Sequence, residues 1–273
     1  MASHLVSCGD LFEWMTRQSV RIIDMRWPVG AGSEGLRQHH QARIPGAVYL
    51  GFDAVQMADP APVGRAIPPT ALAETLLGLG VDDTTTVIAY DDNYQFTAAR
   101  LVWLMRAYGF ERVVRLDGGW PAWLRAGLPV EKGPPSNTRP TEGSLHLTHA
   151  VPAIARLHDV RAHVAAGLPI VDCRRASSWE EDPRLIPGAS RLPMRMLLDS
   201  EGLGLPRSAI LAEAAAAGIR PGVPAIAYCG AAISAAAVWL SLASAGISDV
   251  RVYDGSLTEW ISTGQPLHTR DAP

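Results

Sequence analysis

The stretch "VPAIAYCGAAISAAAVWLSLASAGISDVRVYDGSLTEW" occupies residues 223–260 and decides the fold. Its first apolar run, 225–228, has strand length. The alanine-rich run from residue 233 to 245 is a strong helix former. A second apolar run, 250–253, follows, and an Asp-Gly turn closes it. Strand, helix, strand in close succession is the unit of a parallel sheet, whose strands read as short apolar runs because both faces are buried. Cys229 stands where the first strand ends and the helix has not begun.

The same pattern occurs earlier. Residues 84–130, "TTTVIAYDDNYQFTAARLVWLMRAYGFERVVRLDGGWPAWLRAGLPV", align with 223–267 with one residue of slippage in the loop. Ile88-Ala89-Tyr90 matches Ile226-Ala227-Tyr228, Gly109 matches Gly246, and Trp123 matches Trp260. Upstream, "RIIDMRW" (21–27) matches "PIVDCRR" (169–175), and "RIPGAVYL" (43–50) matches "LIPGASRL" (185–192). A period of about 140 residues is domain-sized, so the chain is a duplication and not a solenoid. The predicted organisation is a domain over 1–130, a Pro-rich exposed linker over 131–147, and a second domain over 148–273. Strands are predicted at 21–25, 86–90, 113–116, 170–173, 225–228 and 250–253, and helices at 70–80, 98–108, 208–217 and 233–245. The predicted class is α/β: two tandem domains, each a mostly parallel sheet with helices on both faces. Ligands on such sheets bind beyond the carboxyl ends of the strands.

With 48% hydrophobic and 19% charged residues the chain is globular, and a formal net charge of -3 argues against nucleic acid or an anionic membrane as partner. No apolar run has the length of a signal peptide core or a membrane span, so a cytoplasmic protein is expected. Three scattered cysteines, Cys8, Cys173 and Cys229, make neither a disulfide framework nor a zinc site. No metal and no cofactor is expected.

Cys229 has two readings. It is a buried filler, the common fate of a free cysteine, or it is a nucleophile. The first amides of a helix lack internal partners and carry partial positive charge, which favours a thiolate there without a neighbouring histidine. The repeat supplies an internal control: copy one carries Asp91 at this position. Aspartate is not a substitute for a core cysteine. The position therefore reads as a wet strand end, and Cys229 as the nucleophile, cradled by the amides of Gly230, Ala231, Ala232, Ile233 and Ser234.

"IVDCRR", the two "IPGA" stretches, "AYCG" entering a helix, "YDGSLTEW" and "LDGGWPAW" together resemble the tandem-domain rhodanese family of sulfurtransferases. The resemblance covers nearly the whole chain and implies a ping-pong reaction. A cysteine thiolate takes a sulfane sulfur from a small donor, holds it as a persulfide, and gives it to a thiol or cyanide; a thioredoxin-like protein is among the implied acceptors. Copy one, with Asp91, would be inert. "CGAAIS" lacks the cations that thiosulfate-using members carry and is closest to the 3-mercaptopyruvate sulfurtransferase branch. It departs from that branch at Ala231 and Ala232, while Ser234 keeps a hydroxyl. Asp53 matches the branch's aspartate, its histidine falls at Ala66, and of its two substrate arginines Arg184 matches one while Ser178 replaces the other. A monomer is the simplest assembly.

Two other classes were weighed. A cysteine phosphatase needs an arginine six residues after the cysteine, where this chain has Ala235. A non-catalytic sulfur carrier or regulatory module with a decayed site is the alternative that the two alanines favour. Among other residues, Asp24/Arg26 and Asp172/Arg174 occur in both copies and read as structural pairs. His39-His40 reads as a solvated pair, Cys173 as core and Cys8 as inert. Trp120, Trp123, Trp239 and Trp260 read as packing anchors.

Overall fold

The computed structural model describes residues 4–17, 20–28, 33–57, 65–94, 96–134, 142–148 and 153–269. The chain forms two compact units. The first comprises Met1–Gln56, Ala66–Val151 and Glu201–Leu203; the second comprises Met57–Arg65, Pro152–Ser200 and Gly204–Pro273.

In the first unit the elements are β1 (Leu5–Val6), α1 (Cys8–Arg17), β2 (Val20–Asp24), α2 (Glu34–Gln41), β3 (Val48–Tyr49), α3 (Pro69–Gly78), β4 (Thr86–Tyr90), α4 (Thr97–Ala107), β5 (Val113–Leu116) and α5 (Gly119–Arg125). The strands form one sheet in the order β1-β5-β4-β2-β3, and every pair in it is parallel. Side chains alternate across a strand. Ile22, Ile88 and Val114 face one side, with Leu11 of α1 and Trp123 of α5 packed on them. The opposite face is covered by α4, which is buried along its whole length.

The second unit repeats this plan. It contains β6 (Ile154–Ala155), α6 (Leu157–Ala166), β7 (Ile170–Asp172), α7 (Ala176–Glu181), β8 (Arg184–Leu185), β9 (Ser190–Arg191), α8 (Arg207–Ala216), β10 (Ala225–Tyr228), α9 (Ile233–Ser244), β11 (Val250–Tyr253), α10 (Ser256–Ser262) and β12 (His268–Thr269). Its main sheet runs β6-β11-β10-β7-β9, again parallel throughout, while β8 and β12 pair antiparallel beside it. Ile170, Ile226 and Tyr228 pack against Val160 of α6 and Leu257 and Trp260 of α10.

The duplication extends to single bonds. The amide of Met25 donates to the Tyr90 carbonyl at 2.8 Å, and that of Cys173 to the Tyr228 carbonyl at 2.8 Å. Leu50 reaches Asp24, and Leu192 reaches Asp172. The indoles of Trp123 and Trp260 donate to Pro129 (2.9 Å) and Pro266 (2.7 Å), each six residues on. Gly109 and Gly246 end α4 and α9 at φ +88° and +90°, a conformation that glycine adopts without steric cost.

The predicted strands and helices lie within two residues of those found. Missing from the sequence reading were the helices α1, α2, α5, α6, α7 and α10 and the two-residue strands β1, β3, β6, β8, β9 and β12, the strands being too short to show a period. The expected slippage of one residue has a two-part origin. Five residues separate Asp91 from α4 but three separate Cys229 from α9, and α9 is longer by one residue, 12 against 11. Most described residues of the expected linker are exposed, Lys132, Pro134, Glu142, Gly143, Ser144 and His146 among them, yet parts of it are bound to the rest of the chain. Glu131 pairs with the Arg43 guanidinium and accepts from the Gly46 amide at 2.7 Å. Asp83 receives His146 at 2.6 Å, and Leu145 and Leu147 are buried.

Two expectations about polar residues had different outcomes. Both Asp-x-Arg pairs are structural: Arg26 and Arg174 each bridge their aspartate at 2.6 Å and bind a main-chain carbonyl, of Ala42 and Arg184, just before "IPGA". His39, read as solvated, is fully buried, with Nδ1 2.9 Å from Asp24 Oδ2. Burial raises the Asp24 carboxyl, but hydrogen bonds from His39, Arg26 and Tyr90 outweigh it and hold Asp24 below the usual carboxylate range. The histidine is buried because a carboxylate already sits there to receive it.

Candidate active site

Cys229 follows the last residue of β10, the middle strand of the second sheet, and is almost wholly buried. Gly230, Ala231 and Ala232 carry the chain from it into α9. The turn is made at Ala232, in the left-handed conformation at φ +55°. This costs an alanine roughly 1–2 kcal/mol, so something must hold the turn. That group is Ser256, at the start of α10. Its Oγ accepts from the amides of Cys229 (3.2 Å) and Ala232 (3.0 Å) and donates to the Tyr253 carbonyl at 2.9 Å. From the same helix Leu257 donates to the Cys229 carbonyl, and the Thr258 hydroxyl to the Gly230 carbonyl at 2.9 Å. The loop is thus tied to α10 through two of its carbonyls and two of its amides.

The remaining amides are uncommitted. Among the described residues, those of Gly230, Ala231, Ile233 and Ser234 donate to no protein acceptor. They lie in succession at the head of a 12-residue helix whose dipole points its positive end at the same place. No charged side chain occurs in residues 229–234. Within this stretch only the main chain can favour an anion. Of the five cradle residues expected from sequence, four keep their amides free. The correction is Ala232, whose amide is spent on Ser256 and shapes the turn.

Copy one shows what this cradle attracts. Asp91 was read as marking a wet strand end, but it is fully buried. Its carboxylate accepts from the amides of Asn93 (2.8 Å) and Ala98 (2.9 Å) and from Arg115 Nη2 (3.0 Å). The loop of the first unit therefore wraps a negative charge that the chain itself provides. The second unit presents a thiol at that position.

Ser256 was missed by the sequence reading. Its signal was a difference between the copies: "DGG" at 117–119 against "DGS" at 254–256. Gly119 sits at φ +58° and Ser256 at φ +51°. A Cβ on Gly119 would fall 2.5 Å from the Asp91 carbonyl. A serine in a left-handed slot that glycine fills elsewhere points to a job for its hydroxyl.

The other expected contacts have hydrogen-bond partners of their own. Arg184 begins β8, is about half exposed, and its guanidinium is engaged by both oxygens of Asp182 at 2.8 Å. Asp53 is an exposed residue of a short 3-10 turn in the first unit, accepting from Gln56 at 3.0 Å. Cys173 is fully buried, and burial raises its thiol well above the usual range, with the charges of Cys229 and Asp172 adding to the effect. No group of three His, Cys, Asp or Glu side chains that would hold a metal occurs among the described residues. No helix among them is long and apolar enough to cross a membrane.

Comparison with known proteins agrees with this geometry. Residues 7–126 and 155–263 each match the Rhodanese-like domain. The chain is 32% identical over 267 residues to the 3-mercaptopyruvate sulfurtransferase of Mus musculus, covering 92% of this chain and 88% of the relative. It is 30% identical over 265 residues to that of Escherichia coli K12, covering 92% of each. The crystal structure of SseA from Escherichia coli, described as a 3-mercaptopyruvate sulfotransferase with the rhodanese fold, superposes with a TM-score of 0.81 at 28% identity, covering 94% of this chain and all of that one.

Proposed function

Since the chain belongs to the rhodanese-like domain family, with two such domains, and is a sulfurtransferase, we propose that Cys229 carries the transferred sulfur as a persulfide. The four uncommitted amides around a buried thiol are the observation that supports this reading most. The Cys229 thiolate attacks the sulfur of the donor. With 3-mercaptopyruvate the carbon–sulfur bond breaks, the electron pair leaves on the pyruvate enolate, and protonation gives pyruvate. The outer sulfur of the persulfide carries the negative charge, and the amides of Gly230, Ala231, Ile233 and Ser234 stabilise it as they would an oxyanion. A second nucleophile, a thiol or cyanide, then takes the outer sulfur and restores the thiolate.

The donor we assign is 3-mercaptopyruvate. Thiosulfate is a dianion and asks for cations, which residues 229–234 lack. The named relatives at 30–32% identity point the same way. Arg184 and Asp53 enter as donor contacts on the strength of the resemblance; Arg184 would have to exchange Asp182 for the donor's carboxylate. A cytoplasmic monomer serving small thiols or a thioredoxin-like protein completes the reading. Steady-state rates on both donors test it. Turnover of 3-mercaptopyruvate should exceed that of thiosulfate, and Ala231→Ser, which adds a donor beside the cradle, should raise it. The reverse ranking would overturn the donor assignment.

A further inference from the structure

The nucleophile has a second cysteine beside it. In the parallel pairing of β7 with β10, Asp172 lies opposite Tyr228. The residue just past the end of each strand is a cysteine, Cys173 after β7 and Cys229 after β10, and the charge of Cys229 acts on the Cys173 thiol. The ladder continues into this pair, because the Cys173 amide donates to the Tyr228 carbonyl at 2.8 Å. The side chains of Asp172 and Tyr228 meet on one face of the sheet, with the phenol 3.1 Å from the carboxylate. Alternation turns both cysteines to the other face. Neighbouring strands lie about 4.8 Å apart, inside the span of about 4.4–6.8 Å between Cα atoms that a disulfide bridges. Copy one has Met25 and Asp91 at these places, so the pair belongs to the second unit alone.

We propose that Cys173 is a resolving cysteine, which discharges the Cys229 persulfide as hydrosulfide when no external acceptor arrives. The inference rests on the persulfide reading above. In the step, the charged outer sulfur takes the Cys173 proton, the Cys173 thiolate so formed bonds to the inner sulfur, the Sγ of Cys229, and the bond between inner and outer sulfur breaks. The outer sulfur departs with the electron pair and the Cys173 proton, as HS⁻. The two thiols are oxidised by two electrons to a disulfide, and the sulfane sulfur is reduced to sulfide. No outside oxidant is required. A dithiol reductant then opens the disulfide by exchange and returns both thiols.

The environment of Cys173 suits a partner that waits. Burial, then the charge of Cys229, then that of Asp172 hold its thiol protonated, and its Sγ lies 3.8 Å from the Val171 carbonyl. It therefore does not compete with Cys229 for the donor, and it brings the proton that the departing sulfur carries away. Cys8 is in the first unit and serves as a control.

The test charges the whole chain with one equivalent of 3-mercaptopyruvate without acceptor, then follows intact mass under non-reducing conditions together with trapped sulfide. Wild type should gain one sulfur, then lose it as one equivalent of sulfide, ending two hydrogens lighter than the starting chain. Two thiols should by then be closed to alkylation until dithiothreitol is added. Cys173→Ala should keep the added sulfur and release sulfide slower by about tenfold or more, and Cys173→Val, which fills the site, should do the same. Cys8→Ser should behave as wild type. A wild-type persulfide that lasts as long as that of Cys173→Ala, or release that depends on Cys8, would overturn the assignment. If no variant ever gains sulfur, the persulfide reading fails first and this one falls with it.

Discussion

Asp91 and Cys229 occupy one position in two copies, and the contrast between them defines the site. In the first unit the chain supplies its own anion, and two amides with Arg115 neutralise it in a buried place. In the second a thiol replaces the carboxylate, the cation disappears, and four amides are left without acceptors. Ser256 shapes this loop by accepting from the amides of Cys229 and Ala232. A buried donor without a partner costs about 1–3 kcal/mol. Ser256→Ala should therefore lower the unfolding free energy by about that amount and slow sulfur loading of Cys229. Ser256→Gly should destabilise by about 1 kcal/mol less than Ser256→Ala, because glycine adopts the left-handed conformation without a Cβ penalty. Denaturant unfolding of the three proteins checks both statements; equal losses for Ala and Gly would show that φ at residue 256 is unimportant. The place of Cys229 at the end of a central strand was legible in the sequence because strand pattern and repeat both bear on it; that it is the nucleophile is our proposal. Ser256 was not legible, because its only mark is one residue of difference between the copies, glycine at 119 against serine at 256. His39 was misread because its burial depends on Asp24, fifteen residues away.

At the scale of elements, α10 matters as much as α9. It ties down the loop at its start and anchors the core at its middle, where Trp260 is buried and hydrogen bonded to Pro266. Trp260→Ala should cost about 3–5 kcal/mol, measured by chemical denaturation, and Trp123→Ala a similar amount in the first unit; a loss below 1 kcal/mol at either would refute the anchoring role. A second element-scale prediction concerns β1. Its neighbour His4 gives its carbonyl to Arg115, and burial followed by the charge of Arg106 lowers its imidazole to about 4 from the usual 6.5. Unfolding in that interval therefore takes up a proton. The contribution is lost as pH falls from 6.5 towards 4, and flat above and below. Thermal midpoints of wild type and His4→Asn across this range should diverge in slope only inside it, with wild type the more acid-sensitive. Parallel slopes would contradict the burial of that imidazole. The helices α3, α4, α8 and α9 and the central strands were legible because periodicity needs several residues, while α1 and α6, each ten residues long, and the shorter α2, α5, α7 and α10 were not read. The two-residue edge strands carried no period and surfaced only as partners of their neighbours.

For the molecule as a whole, duplication organised most of what the sequence disclosed: two units, two parallel sheets, and one position where the copies differ in chemistry. The unit boundaries were less legible. Residues 131–134 and 142–148 look like a linker by composition, yet Glu131 and His146 bind residues of the first unit far away in sequence, and Leu145 and Leu147 are buried. Glu131→Ala should accordingly lower the stability of the first unit while leaving sulfur loading of Cys229 unchanged; a loss of loading in a folded variant would argue against it. The central claim is that a main-chain cradle, with no charged side chain in residues 229–234, makes Cys229 a sulfur carrier. Its most direct test is intact mass after brief exposure to 3-mercaptopyruvate and an acid quench, for wild type and Cys229→Ser. The account predicts one added sulfur on wild type, removable by cyanide, and none on the variant. An added sulfur on Cys229→Ser, or none on wild type with either 3-mercaptopyruvate or thiosulfate, would contradict it.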